Sequence, residues 1–311
     1  MAFRKKLLKK VLTYAAAYDI LNTVRRERKS QRPLDKKKNV CYNKSYENES
    51  EEHPMPNVVV FDTETTSCEE KCFCYNVGWL VLNTESGEIL AKHDKVVEQI
   101  WHNQPLFATA YYAEKRPLYV SAMRGKRAEL DKWGYIMRDV AKDIRQYDVV
   151  AAFAYNSPFD DRVFDFNCEW FHTNNPLEAI PVRDIRGMVS EFITNTADYK
   201  AFCEENEMFT ESGNYSGTAE AVYRYITNNA EFIEAHTALA DSEIEAEILM
   251  ECLVRGAEID GDYKVSRFIA RNVNKPLKIV VDGKTIHEGV YAKKWSKEGY
   301  YRFTTLEGMK E

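Results

Sequence analysis

Short runs of apolar residues divide the middle of the chain into predicted strands. Val58–Phe61 and Val149–Tyr155 are continuous apolar runs, which is the pattern of strands buried on both faces of a sheet. Val77–Leu82 and the segment from Ile89 onward lie on either side of a polar turn and predict an antiparallel pair. Ile180–Asp184 predicts a short final strand. Together these segments predict an α/β fold.

Helices are predicted between and after these strands. Apolar residues at steps of three and four predict a helix over residues 126–146. Further helices are predicted at residues 186–194, 197–208 and 218–228, with a long one that ends near Val254. After the strand at Val149, Ser157 fits a helix N-cap and Pro158 fits the first helical position. Strands and helices therefore alternate along the central part of the chain.

The N-terminal segment differs from this middle part. Residues 4–29 predict a basic amphipathic helix, and residues 1–38 carry 13 Lys and Arg against 3 Asp and Glu. Such a helix can lie on nucleic acid, on an anionic membrane surface or in a partner's groove, and packing on the domain's own acidic surface is the alternative. Residues 39–56 are polar and predict a linker, so the main domain is predicted to span residues 57–258.

Residues 259–311 are predicted to form a C-terminal appendix. The run from Ile279 to Ile286 contains Asp282-Gly283 between β-forming residues, which indicates a hairpin. Cations then alternate with aromatic residues from Lys293 to Arg302. This combination suits single-stranded nucleic acid, and it equally suits an ordinary amphipathic β-ribbon.

Composition and charge argue against several classes of protein. The chain has 311 residues, 44% of them hydrophobic, which is enough for a sizeable core, and its net charge of −6 argues against polyanion binding by the whole surface. No apolar run reaches the roughly 20 residues of a membrane helix, and no signal peptide is predicted. Seven cysteines, an odd number, favour reduced thiols and a cytoplasmic location. Cys68, Cys72 and Cys74 form no CxxC pair, so a zinc site is not favoured.

Two carboxylates, Asp62 and Glu64, end the strand that begins at Val58. Because side chains alternate along a strand, both emerge on the same side. Like charges at the edge of a core repel and lose solvation unless a cation lies between them. Carboxylate oxygens suit Mg²⁺ or Mn²⁺, whereas a solvated strand end is the alternative.

Asp160, Asp241 and His236 are further candidate residues. Asp160 is predicted in the first turn of the helix after Ser157, where an acid can also serve a capping box. Asp241 lies on the edge of the apolar face of the long helix, where an unpaired acid is costly. His236 precedes Asp241 by five residues, so the two converge only if His236 lies before the helix. A capping or packing role is the alternative for this histidine.

Three stretches together resemble the motifs of the DEDDh, or DnaQ-like, family of 3′→5′ exonucleases, over roughly residues 57–255. Asp62–Thr66 resembles the first motif, Asn156–Asp160 the second and His236–Asp241 the third. The resemblance implies a ribonuclease-H-like fold, with a mixed five-stranded sheet flanked by helices. The family usually has Gly after the paired threonines, whereas this chain has Ser67, which affects how closely the loop can approach a terminal nucleotide.

The resemblance also implies roles. The metal ligands for two Mg²⁺ or Mn²⁺ ions would be Asp62, Glu64, Asp160 and Asp241, the general base His236, and the substrate contacts Thr65, Thr66, Asn156 and Phe159. The implied reaction releases nucleoside monophosphates from the 3′ end of single-stranded nucleic acid, DNA favoured over RNA. An RNA-directed enzyme of the oligoribonuclease or RNA-trimming type is the nearest alternative, and a catalytically idle nucleic-acid-binding protein is a more distant one. The basic arm would hold substrate or a polymerase-like replication partner.

Overall fold

The computed structural model describes residues 56–66, 71–210 and 213–265, and the backbone of residues 274–281 and 284–292. The predictions for the basic N-terminal arm, the linker, Ser67, Cys68 and the aromatic tail fall outside the described residues.

Six strands form one mixed sheet: β1 Asn57–Thr65, β2 Cys74–Asn83, β3 Ile89–Val97, β4 Glu129–Asp131, β5 Ala151–Ala154 and β6 Val182–Asp184. Their order is β4-β3-β2-β1-β5-β6. The first three strands are antiparallel neighbours, β5 is parallel to β1, and β6 is parallel to β5. This arrangement confirms the predicted ribonuclease-H-like sheet. The predicted count of five strands is wrong by one, because β4 adds an edge strand parallel to β3.

Nine α-helices accompany the sheet in the described part of the chain: α1 Glu98–Trp101, α2 Gln104–Phe107, α3 Arg116–Arg124, α4 Trp133–Gln146, α5 Ser157–Trp170, α6 Ile185–Val189, α7 Ala197–Glu205, α8 Ala219–Thr227 and α9 Ala238–Val254. The helix predicted over 126–146 begins only at Trp133, because the residues before it pair with β3 as strand β4. A π-helical turn, Ser190–Thr194, follows α6.

Both faces of the sheet are covered, and β1 shows why its sequence is apolar without interruption. Val59 and Phe61 belong to one buried cluster, which includes residues of α4 and α5. Val58 and Val60 belong to a second cluster on the other face, which includes residues of α6, α8 and α9. Burial on both faces removes the alternation of apolar and polar residues expected of a half-exposed strand. The prediction for this strand is confirmed.

Residues 98–128, between β3 and β4, form a segment that we call the β3–β4 insertion. Its aromatic side chains pack on the sheet, with the rings of Phe107 and Tyr119 at 5.0 and 5.8 Å from Tyr75 of β2. The Arg116 guanidinium lies 4.1 Å from the ring centre of Trp101. The insertion is therefore packed as part of the core.

A buried cation fixes the edge of the sheet where the insertion ends. The Lys95 side chain on β3 is only 5% exposed, and its Nζ contacts the carboxylates of Glu129 at 2.5 Å, Asp131 at 3.0 Å and Asp139 at 3.1 Å. The hydrogen bonds to these acids raise the pKa of Lys95 despite burial, so its charge is retained. A buried charge needs such partners, and here they join β3, β4 and α4.

The predicted C-terminal hairpin is confirmed in its backbone: strands β7 Asn274–Val281 and β8 Lys284–Ala292 pair antiparallel. Packing on the main core continues past residue 258, because Ile259 and Tyr263 contact the second buried cluster. Among the described residues, no helix has the length and apolar character needed to cross a membrane.

The cysteines differ from the expectation of reduced thiols in one respect. Cys72 is disulfide-bonded. Cys74, Cys168, Cys203 and Cys252 are free and buried, as expected of reduced cysteines in a core.

Candidate functional site

The end of β1 carries the first two acidic side chains of the site. Glu64 is 9% exposed, and its Oε2 accepts a long hydrogen bond of 3.4 Å from the Tyr75 hydroxyl. Asp62 pairs in register with Gly78 on β2. Their carboxylate oxygens lie within 4.8 Å of each other, so both side chains are on the same side of β1, as the two-residue spacing predicts.

Helix α5 brings Asp160 to β1. Asn156 has left-handed backbone angles (φ 70°) and is the N-cap, one residue earlier than predicted. The Asp160 carboxylate accepts a hydrogen bond of 2.6 Å from the Thr63 hydroxyl, between Asp62 and Glu64 in sequence. Asp160 is 3% exposed and binds a neighbouring strand, so the capping-box interpretation is wrong.

Helix α9 brings Asp241 to the same place because Gly78 allows an unusually close approach. The Ala238 N–H donates to Asn76 Oδ1 at 2.9 Å, and the Ser242 hydroxyl donates to the Gly78 carbonyl at 3.1 Å. A Cβ atom on Gly78 would lie 2.1 Å from the backbone nitrogen of Leu239. Only glycine lets the first turn of α9 lie directly on β2, and that turn contains Asp241.

The carboxylates converge. One oxygen each of Asp62, Glu64 and Asp241 lie within 4.8 Å of one another. The Asp241 Oδ1 is buried and has no hydrogen-bond partner among the described residues. A buried acceptor without a donor is unfavourable unless a cation occupies the space beside it, and such oxygen donors fit Mg²⁺ or Mn²⁺. The residues therefore fit a divalent metal centre.

Loss of solvation dominates the electrostatics of this cluster. Burial, with the neighbouring acids, raises the pKa of Glu64 and of Asp241 to about 8, and burial raises that of Asp160 to about 7. The pKa of Asp62 rises well above its usual value, through burial and then through Asp160 and Glu245. Without a cation, the cluster holds protons that free carboxylic acids lose well below pH 7.

Sequence reasoning missed one acid of the site, Glu245. It lies one turn after Asp241 on α9, is 3% exposed, and accepts a hydrogen bond of 3.1 Å from the Tyr155 N–H at the end of β5. Burial and the charge of Asp160 raise its pKa well above the usual value. Its signal was present in the sequence, since a second acid four residues after Asp241 falls on the same inward face.

His236 lies before α9, as its spacing from Asp241 requires. Its backbone is left-handed (φ 51°) and lies close to the Asp241 carboxylate. Burial and the charge of Lys115 lower its pKa, so the imidazole is neutral at pH 7 and has a nitrogen lone pair free to accept a proton.

His236 has a carboxylate on one side and an aromatic ring on the other. Its Nδ1 lies 3.5 Å from Glu234 Oε2, and its ring stacks on Tyr112 at 4.5 Å with 12° between the planes. Burial and the nearby Glu220 raise the pKa of Glu234 to about 7. Sequence patterns gave no indication of Tyr112, which belongs to the β3–β4 insertion.

The four residues predicted to contact substrate lie beside these acids but differ in exposure. Thr66 is 2% exposed, and its hydroxyl and N–H both bind the backbone of Phe73. Thr65 is partly buried at the end of β1, Asn156 is exposed, and Phe159 packs partly against the core. The contacts of Thr66 are thus internal, and a role for all four in binding stays a prediction.

Comparison with known proteins gives matches of structure alone. No family model and no curated protein sequence matches the chain. Several solved structures of nucleases match it. The nuclease domain of 3′hExo, a DEDDh family member bound to rAMP, matches with 13% identity and a TM-score of 0.42, over 68% of this chain and 98% of that one.

Two other structures illustrate the range of these matches. A 3′-exonuclease that recognises the histone mRNA stem-loop matches with 14% identity and a TM-score of 0.47, over 81% of this chain and 95% of that one. Exonuclease I of E. coli in complex with a dA16 oligonucleotide matches with 16% identity and a TM-score of 0.36, over 64% of this chain and 41% of that one. The strand order of the sheet defines the fold, and the convergence of the carboxylates defines the candidate site.

Proposed function

We propose that this protein is a metal-dependent 3′→5′ exonuclease that releases nucleoside monophosphates from single-stranded nucleic acid. The observation that carries this proposal is the convergence of Asp62, Glu64 and Asp241 within 4.8 Å, with Asp160 bonded to the strand between the first two and His236 beside Asp241. The order of these residues along the chain, which resembles the DEDDh motifs, supports it.

The protein's residues divide the work of phosphodiester hydrolysis. Asp62, Glu64, Asp160 and Asp241 would hold two Mg²⁺ or Mn²⁺ ions, which when bound stabilise charge on the attacking and leaving oxygens. The neutral imidazole of His236 accepts a proton from the attacking water, which a positioned base does well near its own pKa. Burial of the acids keeps bulk water out of the cluster and strengthens its hold on cations.

We propose single-stranded DNA as the preferred substrate, with RNA as the alternative to test. The exposed Asn156 and the partly exposed Thr65 and Phe159 are proposed contacts for the terminal nucleotide. We assign the basic arm, residues 1–38, to binding a longer strand or a replication partner, because it carries a charge of about +10 beside an acidic remainder. A cytoplasmic location is part of this proposal.

A panel of 5′-labelled oligonucleotides tests the proposal. Single- and double-stranded DNA and RNA of one sequence are incubated with Mg²⁺, with Mn²⁺ or with chelator, and the products are sized over time. We expect shortening from the 3′ end one nucleotide at a time, dependent on metal and fastest on single-stranded DNA. A 3′-terminal phosphate should slow it.

Three results would contradict the proposal: hydrolysis in excess chelator, internal cleavage, and binding of oligonucleotides without hydrolysis under any metal. The last result would instead support a catalytically idle nucleic-acid-binding protein. Faster hydrolysis of RNA would keep the reaction and overturn the substrate preference alone.

A further inference from the structure

The loop that carries His236 is held by the β3–β4 insertion. The ring of Tyr112 lies 4.5 Å from the imidazole and nearly parallel to it, at 12°. Lys115 donates a hydrogen bond of 2.6 Å to the carbonyl of Ala235, and its ammonium lies 4.3 Å from the centre of the Tyr112 ring. Two contacts thus connect one turn of the insertion to two successive residues of the loop, and the third joins Lys115 to Tyr112 within the insertion.

Without these contacts, little would fix the imidazole. His236 lies outside any helix or strand, and it adopts a left-handed backbone that non-glycine residues adopt only when their surroundings impose it. The torsion that rotates a histidine ring is broad, so the backbone alone does not set the ring plane. A flat ring stacked on the imidazole does set that plane.

The other side of the loop is held from α8. Glu234, whose Oε2 lies 3.5 Å from His236 Nδ1, donates its backbone N–H to Glu220 Oε2 at 2.8 Å. Glu220 in turn pairs with Arg224 at 2.8 Å. The contact with His236 is longer than an ordinary hydrogen bond, as is common before substrate binds. Glu234 therefore limits where Nδ1 can lie, and the ring plane depends on Tyr112.

We propose that Tyr112 is a positioning residue for His236: its ring holds the imidazole in the plane that directs a nitrogen at the attacking water beside the carboxylate cluster. This role rests on the proposed nuclease function. Tyr112 itself would not touch the reacting atoms, and it is the flat face of the ring, not the hydroxyl, that acts.

Substitutions at Tyr112 separate this role from others. Tyr112→Leu keeps a large apolar side chain and loses the flat ring, whereas Tyr112→Phe keeps the ring. The loss of one aromatic ring contact should lower kcat of Tyr112→Leu by up to roughly 10-fold, with little change in KM. Tyr112→Phe should stay within about 2-fold of the wild type, because it stacks equally well.

Tyr111 provides a matched control. It is the preceding residue, is 83% exposed, and contacts Tyr112 through a T-shaped ring pair at 4.8 Å. Tyr111→Leu removes a ring of the same kind from the same turn and should leave kcat unchanged. Melting temperatures with and without Mg²⁺ establish that each variant folds and still binds metal.

A double-mutant cycle with His236 tests whether Tyr112 acts through this histidine. If Tyr112 acts through His236, then Tyr112→Leu should have no further effect on kcat in the His236→Ala background. An additive loss would overturn the inference. So would a rise in KM at constant kcat, which indicates that Tyr112 stacks on a nucleobase, or an equal loss in Tyr112→Phe, which indicates a role of the hydroxyl.

Failure of this inference is distinguishable from failure of the proposed function. A wild-type protein that hydrolyses nothing with either metal would overturn the proposed function and this role with it. An active wild type that depends on His236 but tolerates Tyr112→Leu would overturn the positioning role alone.

Discussion

The carboxylates and the histidine of the candidate site are held in opposite ways. Asp62, Asp160 and Asp241 lie on a central strand and on the first turns of two helices, and Asp160 and Asp241 are almost fully buried. His236 lies on a loop, its side chain 31% exposed, and is held by side chains from a distant segment. The acids depend on the packing of the core, and the histidine depends on a few surface contacts.

The acids and the histidine therefore differ in the structural support that they need. Repulsion among buried acids requires a rigid frame, because the acids must stay together even when no cation offsets their charge. A general base needs only to reach its proton in the right orientation, and a loop with a few firm contacts is sufficient. The substitutions below test each part separately.

The largest effect is expected from the acids. Asp160→Asn keeps the size of the side chain and removes its charge, which should cost several kcal/mol of transition-state stabilisation, or roughly 10³-fold in kcat. Its melting temperature without metal should be unchanged or higher, because a repulsion is relieved. The rise in melting temperature on adding Mg²⁺ should be smaller than in the wild type. Steady-state kinetics and thermal unfolding measure these effects.

Asp161→Asn is the matched control, since Asp161 is the next residue on α5 and its charged neighbours are Asp165 and Arg162, not the acids of the cluster. It should keep both activity and the stabilisation by Mg²⁺. Full activity in Asp160→Asn, or equal losses in the two variants, would contradict a metal centre at these acids.

The histidine should show a smaller and purely kinetic effect. His236→Ala should lower kcat by about 10²–10⁴-fold, the usual contribution of a positioned general base. Metal-dependent stabilisation should persist, because the acids do not depend on the imidazole. The wild-type rate should rise with pH through a range below about 6.5, given the lowered pKa of His236, and the variant should lack that rise. Unchanged turnover in His236→Ala would leave this residue only a structural role.

Gly78→Ala tests the frame that holds the acids. Its Cβ would meet the backbone of α9 at 2.1 Å, so the helix must move away from β2. We expect a loss of about 1–3 kcal/mol in the free energy of unfolding, as for other overpacked cores, together with weaker metal binding. Gly134→Ala is the control, because its nearest contact would be 3.3 Å from a side-chain methyl of Thr173. Denaturant unfolding with and without Mg²⁺ compares them, and equal stability of the two variants would be the contrary result.

The stability of the metal-free protein is expected to depend on pH. The pKa values of Glu64 and Asp241 rise to about 8 on folding from ordinary values near 4, so the folded state binds more protons than the unfolded state between these limits. The free energy of unfolding should therefore fall as pH rises from about 4.5 to about 8. Saturating Mg²⁺ should remove this fall. Melting temperatures in chelator across that range should show a shallower fall in Asp241→Asn, and parallel curves for both proteins would count against the assignment.

The central fold was predictable because its signals are local. The uninterrupted apolar run Val58–Phe61 indicates a strand buried on both faces. The spacing of Asp62 and Glu64 indicates that both side chains lie on the same side of that strand. Strand β4 was not predictable, because its three residues, Glu129–Asp131, form a strand only by pairing with β3 and binding Lys95. Local propensity carries no signal for an element that long-range contacts impose.

The residues of the candidate site also divide into those that the sequence predicts and those that it does not. The motifs and their spacing predicted Asp62, Glu64, Asp160 and Asp241. Glu245 could have been predicted from its position one helical turn after Asp241. The surroundings of His236 could not be predicted, because Tyr112 lies more than a hundred residues earlier, in a segment without a clear hydrophobic period. Contacts between distant loops leave no periodic trace in a sequence.

The two edges of the sheet bear on how the protein behaves at high concentration. The edge strands β4 and β6 have three residues each and carry charged side chains, whereas three of the four interior strands, β1, β2 and β3, have nine or ten. Unpaired backbone at a long, flat edge recruits strands of other molecules, and short charged edges resist this. The ion pairs of Lys95 additionally fix β4 in place. This sheet is therefore protected against edge-to-edge aggregation, and a substitution that releases β4 would expose the longer edge of β3.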